Sequence, residues 1–399
     1  MRTRRAHRRI GVGTADITLD DQRRVTGVLE SGRLSSGPVT AEFETRFAEV
    51  HDRRFGVMCN SGTGALQLAV QALKERYKWP DQAEVIVPAM TFVATVNAVL
   101  FNGLRPVLAD IDPLTYNLAP GSAASAVTDR TVAMIPVHLF GQPADMTSLM
   151  AVAEKHHLSV IEDSCETVAA RHRGRMAGSF GDFGCFSTYM AHIVTTGVGG
   201  LALTDDQENA TRFRSLMNHG RNPRYLRIDD DQELEDTELL QVVWSRYDFQ
   251  SIGQSYRATE MEAALGIGQL ERLSANLARR REVAARLLAV LDHPDLQLPV
   301  TAEGNEHSFM MFALTCRTEG LRDRLVIALE RAGVETRFLL PIIGQPCYDG
   351  VLEAVDADAL KNARNALATG FYIGSHPGMA DDDVDYIGEI VHSVLRGGA

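Results

Sequence analysis

Short apolar runs alternate along the first half of the chain with segments in which apolar residues recur at helical spacing. Phe55–Cys59, Glu84–Pro88 and Ser159–Asp163 have the length and character typical of buried strands. The first two are followed by helical patterns that run to about Tyr77 and Asn102. This alternation predicts an α/β fold with a mainly parallel sheet that helices cover on both faces.

Further elements complete this predicted large domain. An amphipathic helix from about Thr40 to Val50 precedes the first strand, and a helix from about Asp205 to Met217 follows the strand Gly200–Thr204. The remaining strands are predicted at Pro106–Asp110, Val132–Val137, Cys185–Tyr189 and Gly200–Thr204. Between residues 223 and 243 an insert carries the acidic run 229–236, which we interpret as a solvated loop.

The pattern changes after residue 257. A long helix is predicted from about Glu260 to Leu291 and should link two domains. Beyond it, a compact α+β unit is predicted from a strand, a helix, a strand and a helix at Phe309–Cys316, Leu321–Ala332, Glu335–Leu339 and Asp382–Leu395. We therefore divide the chain into an N-terminal arm (1–26), a large domain (27–257), and the linking helix with a small C-terminal domain (258–399).

The composition is that of an ordinary soluble globular protein, with 45% hydrophobic and 23% charged residues. A net charge of −12 argues against nucleic acid or an anionic membrane as a partner. The basic start, Arg2–Arg9, lacks the apolar segment of a signal peptide, and the five cysteines fit no metal or disulfide pattern. We expect a cytoplasmic protein without a metal site.

Two segments next to predicted strands carry candidate chemistry. Ser61-Gly62-Thr63-Gly64 opens a helix directly after a strand, and the N–H groups at a helix start attract anions. Asp163 ends another strand, and a carboxylate there lies at the ligand-binding edge of a parallel sheet. Each signal is weak by itself, because small residues and aspartate also serve as ordinary helix caps.

The stretch Gly184–Gly200 is more specific. Its sequence, GCFSTYMAHIVTTGVGG, resembles the corresponding stretch of the DegT/StrS-type sugar-nucleotide aminotransferases, a branch of the fold type I enzymes that use pyridoxal 5′-phosphate (PLP). In that family a lysine after the serine and the aromatic residues binds the cofactor covalently, and here His192 stands at that position. The resemblance covers nearly the whole chain from about Gly27, and it implies the fold type I architecture.

Histidine at this position is a mark of one subgroup that the chain resembles, the sugar 3-dehydratases, which work from pyridoxamine 5′-phosphate (PMP). Histidine cannot bind the cofactor covalently as lysine does, but its free pKa near neutrality allows it to act as an acid or a base. The chain prefers arginine, since only Lys74, Lys78, Lys155 and Lys361 are lysines among 40 basic residues, yet this site carries histidine. We favour a catalytic His192 over a degenerate residue in a non-catalytic relative.

The resemblance also assigns the cofactor-binding residues. Gly62 and Thr63 match the donors to the cofactor phosphate, and Phe92 matches an aromatic residue that stacks on the pyridine ring, although it could instead fill the core. Asp163 matches the aspartate that pairs with the protonated pyridine nitrogen and keeps the ring an electron sink, so it is also a catalytic residue. Glu166 stands where relatives carry histidine or glutamine near the ring hydroxyl. Ser187 completes this set.

Two further segments are assigned to the substrate and to a second subunit. The segment 253–257 resembles one whose asparagine reaches across a dimer interface to the cofactor phosphate, and Ser255 stands at that position. A homodimer is therefore expected, which is also the commonest oligomer. Arg337 belongs to a segment similar to the family's C-terminal substrate-side segment, and His219 lies in the turn 218–221. We assign both residues to substrate binding.

Three functions follow from these patterns. The favoured one is a PLP/PMP-dependent 3-dehydratase that removes the C3 hydroxyl of a nucleotide-linked 4-keto-6-deoxy sugar, with an amino donor such as L-glutamate. The second is a sugar aminotransferase or another PLP-dependent lyase that has adapted to histidine. The third is a non-catalytic PLP-binding relative, which the intact Gly62, Thr63, Asp163 and Ser187 argue against.

Overall fold

The computed structural model describes residues 9–226, 229–340, 342–352 and 358–397. The strands in chain order are β1 (Phe55–Cys59), β2 (Glu84–Pro88), β3 (Arg105–Ala109), β4 (Thr131–Met134), β5 (Ser159–Asp163), β6 (Arg171–His172), β7 (Arg175–Met176), β8 (Phe183–Ser187), β9 (Gly200–Thr204), β10 (Leu296–Gln297), β11 (Asn305–Glu306), β12 (Met311–Cys316), β13 (Thr336–Phe338) and β14 (Gly370–Gly374).

The helices in chain order are α1 (Leu19–Ser31), α2 (Pro38–Val50), α3 (Gly62–Tyr77), α4 (Val93–Phe101), α5 (Pro120–Ser125), α6 (Met146–His156), α7 (Gln207–Leu216), α8 (Asp236–Ser245), α9 (Glu260–Glu271), α10 (Leu273–Val290), α11 (Leu321–Arg331), α12 (Lys361–Thr369) and α13 (Asp381–Leu395). Within the described ranges, none of these helices has the length and apolar character needed to cross a membrane.

A seven-stranded sheet in the order β1-β9-β8-β5-β4-β2-β3 forms the centre of the fold. β9 runs antiparallel to both of its neighbours, while the pairs β8–β5, β5–β4, β4–β2 and β2–β3 are parallel. The predicted α/β fold with a mainly parallel sheet is confirmed. Because β1, β2, β5 and β8 point the same way, the segments that follow them meet at one edge of the sheet.

Helices cover both faces of this sheet, as the alternating pattern predicted. On one face α3 lies across β5, β8 and β9, and its Leu66, Leu68 and Leu73 are fully buried. On the other face α5 and α6 bury Ala123, Met146 and Leu149. Removing one such leucine side chain from water stabilises the fold by about 1.5–3 kcal/mol, so the position of the α3 N-terminus against the sheet is strongly determined.

The C-terminal part forms a separate antiparallel sheet in the order β10-β12-β14-β13. Helices α10, α11 and α13 pack against it around fully buried residues such as Phe312 and Leu325. This arrangement is the α+β unit expected from the sequence, although β14 and α12 were not predicted. Ile10, which we placed in the N-terminal arm, is buried in the same apolar cluster.

The predicted linking helix Glu260–Leu291 is wrong as a single element, because it consists of α9 and α10. Arg272 between them takes dihedral angles of φ −99° and ψ 0°. Its guanidinium donates to the Asp21 carboxylate and to the main-chain oxygen of Asp16. These contacts join the helix break to α1, a fold-level partner that apolar periodicity does not reveal.

Other boundaries differ for local reasons. The predicted strand Val132–Val137 ends at Met134 because Pro136 has no N–H to donate, and Val137 forms only an isolated bridge with Asp163. The strand predicted at Cys185–Tyr189 lies two residues earlier, since Phe183 already pairs with Ile161 of β5.

The insert and the N-terminal arm contain helices that the sequence analysis missed. The acidic run forms turns up to the start of α8, and two of its aspartates pair with arginines, Asp229 with Arg33 and Asp231 with Arg246. It is therefore not simply a solvated loop. Residues 19–26, assigned to the arm, belong to α1, which packs against α9. The division of the chain into domains stays a prediction.

Candidate functional site

Asp163 ends β5 and is the best anchored of the predicted catalytic residues. It is 4% exposed, and its Oδ2 accepts a hydrogen bond from Thr95 Oγ1 at 2.7 Å. Its Oδ1 accepts one from the Cys165 N–H at 3.2 Å. Burial raises the pKa of Asp163 above its usual value, and these hydrogen bonds oppose the rise. A cation beside this carboxylate would offset the cost of its burial.

A second buried carboxylate, Glu162, fixes the strand that carries Asp163. It accepts hydrogen bonds from the N–H groups of Gly178, Phe180 and Gly181 and pairs with His138 at 3.0 Å. The Ala144 N–H donates to His138 Nδ1, so His138 Nε2 carries the proton and donates to Glu162. The pKa of Glu162 is lowered because these donors outweigh its burial. Glu162 is therefore a charged structural residue, whose hydrogen bonds hold the strand next to Asp163 in place.

The N-terminus of α3 forms the predicted phosphate-binding segment. Ser61 caps this helix, since its side chain accepts a hydrogen bond from the Gly64 N–H at 3.0 Å. Gly62 and Thr63 follow, and the first N–H groups of a helix have no acceptor within the helix. A Cβ atom on Gly62 would lie 2.7 Å from Ser187 Cβ and 2.8 Å from Cys165 Sγ. Only glycine therefore allows this close approach of α3 to the ends of β8 and β5.

Phe92 lies between Thr91 and α4, the helix that carries Thr95. The hydroxyls of Thr91 and Thr95 are 2.8 Å apart, and Thr95 in turn bonds Asp163. The Phe92 side chain is 55% exposed. This exposure speaks against a role in the core and leaves the ring accessible to a planar ligand.

Glu166 lies three residues after Asp163, on the side of the small sheet. Its Oε2 accepts a hydrogen bond from the Phe140 N–H at 2.8 Å. Burial, helped by the negative charge of Asp163, raises the pKa of Glu166 to about 7. At neutral pH this carboxyl can hold a proton, so it can donate a hydrogen bond to a ring oxygen as well as accept one.

His192 lies in the loop between β8 and β9, where its N–H donates to the Tyr189 main-chain oxygen at 2.9 Å. Although part of the residue reaches solvent, its Nδ1 is buried and has no hydrogen-bond partner among the described residues. Burial and the nearby charge of Arg280 lower the pKa of His192 to about 4. At neutral pH the imidazole is uncharged and can accept a proton.

Ser255 and His219 lie apart from this group within the chain. Ser255 lines a cavity of about 630 Å³ together with Arg221, Arg246 and Arg257, and its Oγ accepts a hydrogen bond from Arg257 at 3.1 Å. His219 is exposed, has a φ of +66°, and its ring packs edge-on against Phe249. Neither residue has a described contact with Asp163 or His192.

Arg337 lies on β13 of the small sheet, where its side chain is 51% exposed. It pairs with Glu335 and stands opposite Tyr372 on β14. The centroids of the Tyr372 and Phe140 rings are 5.7 Å apart, and the Phe140 N–H donates a hydrogen bond to Glu166. This row of contacts runs from the predicted substrate residue Arg337 to the cofactor side of the site.

The sequence analysis missed residues that support the predicted ones. Thr95 is fully buried and donates to Asp163, and its only sequence signal is the Thr91/Thr95 pair one helical turn apart after β2. Arg280 on α10 is 3% exposed and donates to the main-chain oxygens of Met310 and Ser375. Nothing in the local sequence distinguishes Arg280 from its neighbours Arg279 and Arg281.

The described residues fit PLP or PMP. The α3 N-terminus offers N–H groups to a phosphate, the buried Asp163 carboxylate suits a pyridinium nitrogen, and the exposed Phe92 ring suits a planar heterocycle. The buried Nδ1 of His192 has no hydrogen-bond partner among the described residues, so a ligand atom could fill that place. No lysine occurs in the β8–β9 loop, and the four lysines lie on α3, its C-cap, α6 and α12.

Comparison with known proteins agrees with this site. The model of the DegT/DnrJ/EryC1/StrS aminotransferase family matches residues 15–392. The chain is 34% identical to the GDP-perosamine synthase of Caulobacter vibrioides, over 97% of this chain and 98% of that protein. It is 33% identical to the dTDP-4-dehydro-2,6-dideoxy-D-glucose 3-dehydratase of Saccharopolyspora spinosa, over 94% of this chain and 84% of that protein.

A solved structure gives the same fold. The E. coli GDP-4-keto-6-deoxy-D-mannose-3-dehydratase with bound hydrated PLP superimposes with a TM-score of 0.87 at 26% identity, over 96% of this chain and 99% of that one. The fold type I architecture and the cofactor, PLP or PMP, are thereby confirmed. The protein is an α/β enzyme of the DegT/DnrJ/EryC1/StrS aminotransferase family.

Proposed function

We propose that this protein is a PLP/PMP-dependent lyase that removes the C3 hydroxyl of a nucleotide-linked 4-keto-6-deoxy sugar. The observation that carries the proposal is His192 at the position of the cofactor-binding lysine. An enzyme without this lysine keeps no covalent hold on the cofactor, so the amino form can serve as a reagent on the sugar. The dehydratase subgroup suggested by the sequence is thus a proposal, whereas the family is established.

The state of His192 supports a role in proton transfer. When bound, PMP supplies an amine for the C4 ketone and a ring that accepts electrons. His192 is uncharged at neutral pH, so it can take the proton from the C4′ carbon of the cofactor. In the cofactor-free protein its pKa is about 4, below the free value that the sequence argument assumed, so the imidazole is a weaker base and its imidazolium a stronger acid. The imidazolium would give its proton to the C3 hydroxyl, which leaves poorly without one.

The other residues of the chain hold the cofactor in place. Asp163, whose two carboxylate oxygens are held by Thr95 and Cys165, would pair with the pyridine nitrogen. The α3 N-terminus at Gly62 and Thr63 binds the phosphate. Glu166, with a pKa of about 7, would hydrogen-bond the ring oxygen.

The cavity beside Ser255 supports a phosphorylated substrate and a shared site. Among the described residues Arg221 and Arg257 have no carboxylate partner, although both line the cavity. Two such guanidinium groups attract phosphate. We infer that this cavity serves the phosphate groups of the partner subunit's site in a homodimer, where Ser255 completes the cofactor pocket and His219 and Arg337 contact the substrate.

One observation favours amino transfer as the second candidate. Similar proteins include the GDP-perosamine synthase and a protein from Acidithiobacillus ferrooxidans named as a 3-aminotransferase, 35% identical over 79% of this chain and 78% of that protein. On this alternative His192 would carry out the proton transfers between the cofactor and the amino donor. The sugar would then keep its C3 hydroxyl and gain an amino group.

One experiment distinguishes dehydration from amino transfer. The protein is incubated with PLP and L-glutamate, nucleotide-linked 4-keto-6-deoxy sugars are added, and the sugar product is analysed by mass spectrometry. Dehydration gives a product without the C3 oxygen, while amino transfer gives an amino sugar with that oxygen. The matched control is His192→Asn, which retains the α3 N-terminus and Asp163. An amino sugar as the main product would reject the dehydratase and select the alternative.

A further inference from the structure

The segment Ile10–Asp16, which precedes α1, lies on the small sheet at its start. Ile10 bridges Val334 through two main-chain hydrogen bonds, from its own N–H to Gly333 and from the Glu335 N–H to its oxygen. The Val12 N–H donates to Glu335 Oε2 at 3.2 Å, and His376 Nε2 donates to the Gly11 oxygen at 3.1 Å. The segment is therefore held by both its backbone and neighbouring side chains.

The same segment touches the loop that carries His192. A Cβ atom on Gly13 would lie 3.5 Å from Ala191 Cα and 3.7 Å from the Ala191 oxygen, so the two backbones are in contact one residue before His192. Beyond this point Gln269 and Arg272 donate to the Asp16 oxygen at 2.8 and 3.1 Å. Gly13 thus lies between two well-bonded anchors, Val12 and Asp16.

Glu335 joins this segment to the predicted substrate residue. One oxygen of its carboxylate accepts a hydrogen bond from the Val12 N–H, and the other pairs with Arg337, two residues further along the chain on β13. The segment consequently contacts the His192 loop at one residue and is bonded through Glu335 to Arg337. It therefore connects the His192 loop with Arg337 through contacts on both sides.

We propose that the segment Ile10–Asp16 is part of the active site and that Gly13 and Glu335 are positioning residues for the His192 loop. The His192 side chain makes no hydrogen bond among the described residues, so its position depends on the support that neighbouring segments give to the loop backbone. Backbone contact at Ala191 supplies that support, and it requires a residue without a large side chain at position 13. The inference rests on the proposed role of His192, but its test does not depend on catalysis.

The test measures how fast diethyl pyrocarbonate modifies His192 in the intact protein, with the modified site identified by mass spectrometry of peptides. Gly13→Phe places a ring where Ala191 lies and should displace the loop, which raises the rate at His192 at least fivefold. Gly13→Ala adds a Cβ at ordinary contact distance and should stay within twofold of wild type. Gly27→Phe is the matched control, because a Cβ there meets no atom within 4 Å.

A second pair of variants decides the matter if Gly13→Phe fails to fold. Glu335→Ala removes the acceptor of the Val12 N–H and should also raise the rate at His192. Arg337→Ala removes the ion pair with Glu335 and a hydrogen bond to the Thr336 oxygen, but it keeps the acceptor of the Val12 N–H and should leave the rate unchanged. The fully buried His51 reports on the whole fold, and its rate should stay constant throughout.

Wild-type rates at His192 in Gly13→Phe and Glu335→Ala would overturn the proposal. A rise at His51 as large as that at His192 would overturn it as well, since it would mean general unfolding. If the rate at His192 rises but His192→Asn remains fully active, Gly13 and Glu335 do position the loop, and the proposed function of His192 is what fails.

Discussion

Asp163 and His192 carry the two predicted catalytic roles, but the molecule holds them in different ways. Asp163 ends a central strand, and each of its carboxylate oxygens accepts a hydrogen bond from a neighbouring residue. His192 lies in a loop, and its side chain has no hydrogen-bond partner among the described residues. Asp163 is placed by the sheet, whereas His192 is placed by what packs around its loop.

This difference indicates a division of labour. On the proposed function, the strand end would provide a charge that binds and tunes the cofactor, and the hydrogen bonds that hold this carboxylate are formed before any ligand arrives. The loop would provide an uncharged imidazole that exchanges a proton with a reacting group. Substitutions at the two places should therefore fail in different ways.

The largest effect is expected for His192→Asn. Loss of a general base typically costs about 10²–10⁴-fold in rate, and here the same residue also protonates the leaving group. We expect 3-deoxygenation to fall below detection while PLP still binds, because the α3 N-terminus and Asp163 are untouched. Mass spectrometry of the sugar tests the loss of 3-deoxygenation, and the absorbance of bound cofactor tests whether PLP still binds. Dehydration at the wild-type rate would falsify the proposed role.

His192→Lys sharpens the same comparison. A lysine there can bind the cofactor aldehyde covalently, which borohydride would trap on residue 192. Wild-type protein treated in the same way should stay unlabelled. We expect the variant to shift from dehydration toward amino transfer, and an adduct on any lysine of the wild-type protein would contradict the assignment of the site.

Asp163→Asn should weaken catalysis more than folding. The amide keeps the shape of the side chain but loses the charge that holds the pyridine nitrogen protonated. A loss of about 2–3 kcal/mol in transition-state stabilisation corresponds to roughly 30- to 150-fold in kcat/KM. Thermal unfolding of the cofactor-free variant should be close to wild type. Unchanged turnover would place the partner of the ring nitrogen elsewhere.

The two sides of the site should also differ in the pH dependence of stability. The raised pKa of Glu166 stabilises the folded cofactor-free protein below about pH 4.5, and this contribution is lost as the pH rises to about 7. The lowered pKa of His192 acts in the opposite sense, because its contribution is present above about pH 6.5 and is lost as the pH falls to about 4.

Glu166→Gln should remove the first of these trends. A shift of one pKa unit is worth about 1.4 kcal/mol, so the effect of Glu166 between pH 4.5 and 7 is on the order of 3 kcal/mol. Urea unfolding at several pH values, with His192→Asn as the matched variant, should give differences from wild type of opposite slope. Parallel pH profiles for wild type and Glu166→Gln would argue against a protonated Glu166.

The smallest effect is expected for Ser255→Ala. One hydrogen bond contributes about 0.5–1.5 kcal/mol, so the Kd for the cofactor should rise roughly 2- to 10-fold. Hybrid dimers of this variant with Gly62→Val test whether Ser255 acts across the interface. If it does, the hybrid regains one wild-type site, which a titration of cofactor binding detects. A monomer with full activity in sedimentation and kinetic assays would reject the shared site.

Much of the large domain follows from local pattern. Predicted and observed bounds coincide for β1, β2, β5 and β9, because each is a buried apolar run bounded by polar or glycine residues. Strands that end at the same edge also bring Gly62, Phe92 and Asp163 into one region, as the alternation with helices implied. The break at Arg272 could not be predicted, since it depends on Asp21 and Asp16 far away in sequence.

The sequence by itself determined the α/β class, the family and the substitution at position 192, because these depend on residue types at fixed spacing. The tertiary structure alone decided how the residues are supported. Thr95 reaches Asp163, Gly13 touches Ala191, and Arg280 lies near enough to His192 to lower its pKa. Burial and contacts between distant segments set hydrogen bonding and pKa, and local spacing carries no record of either.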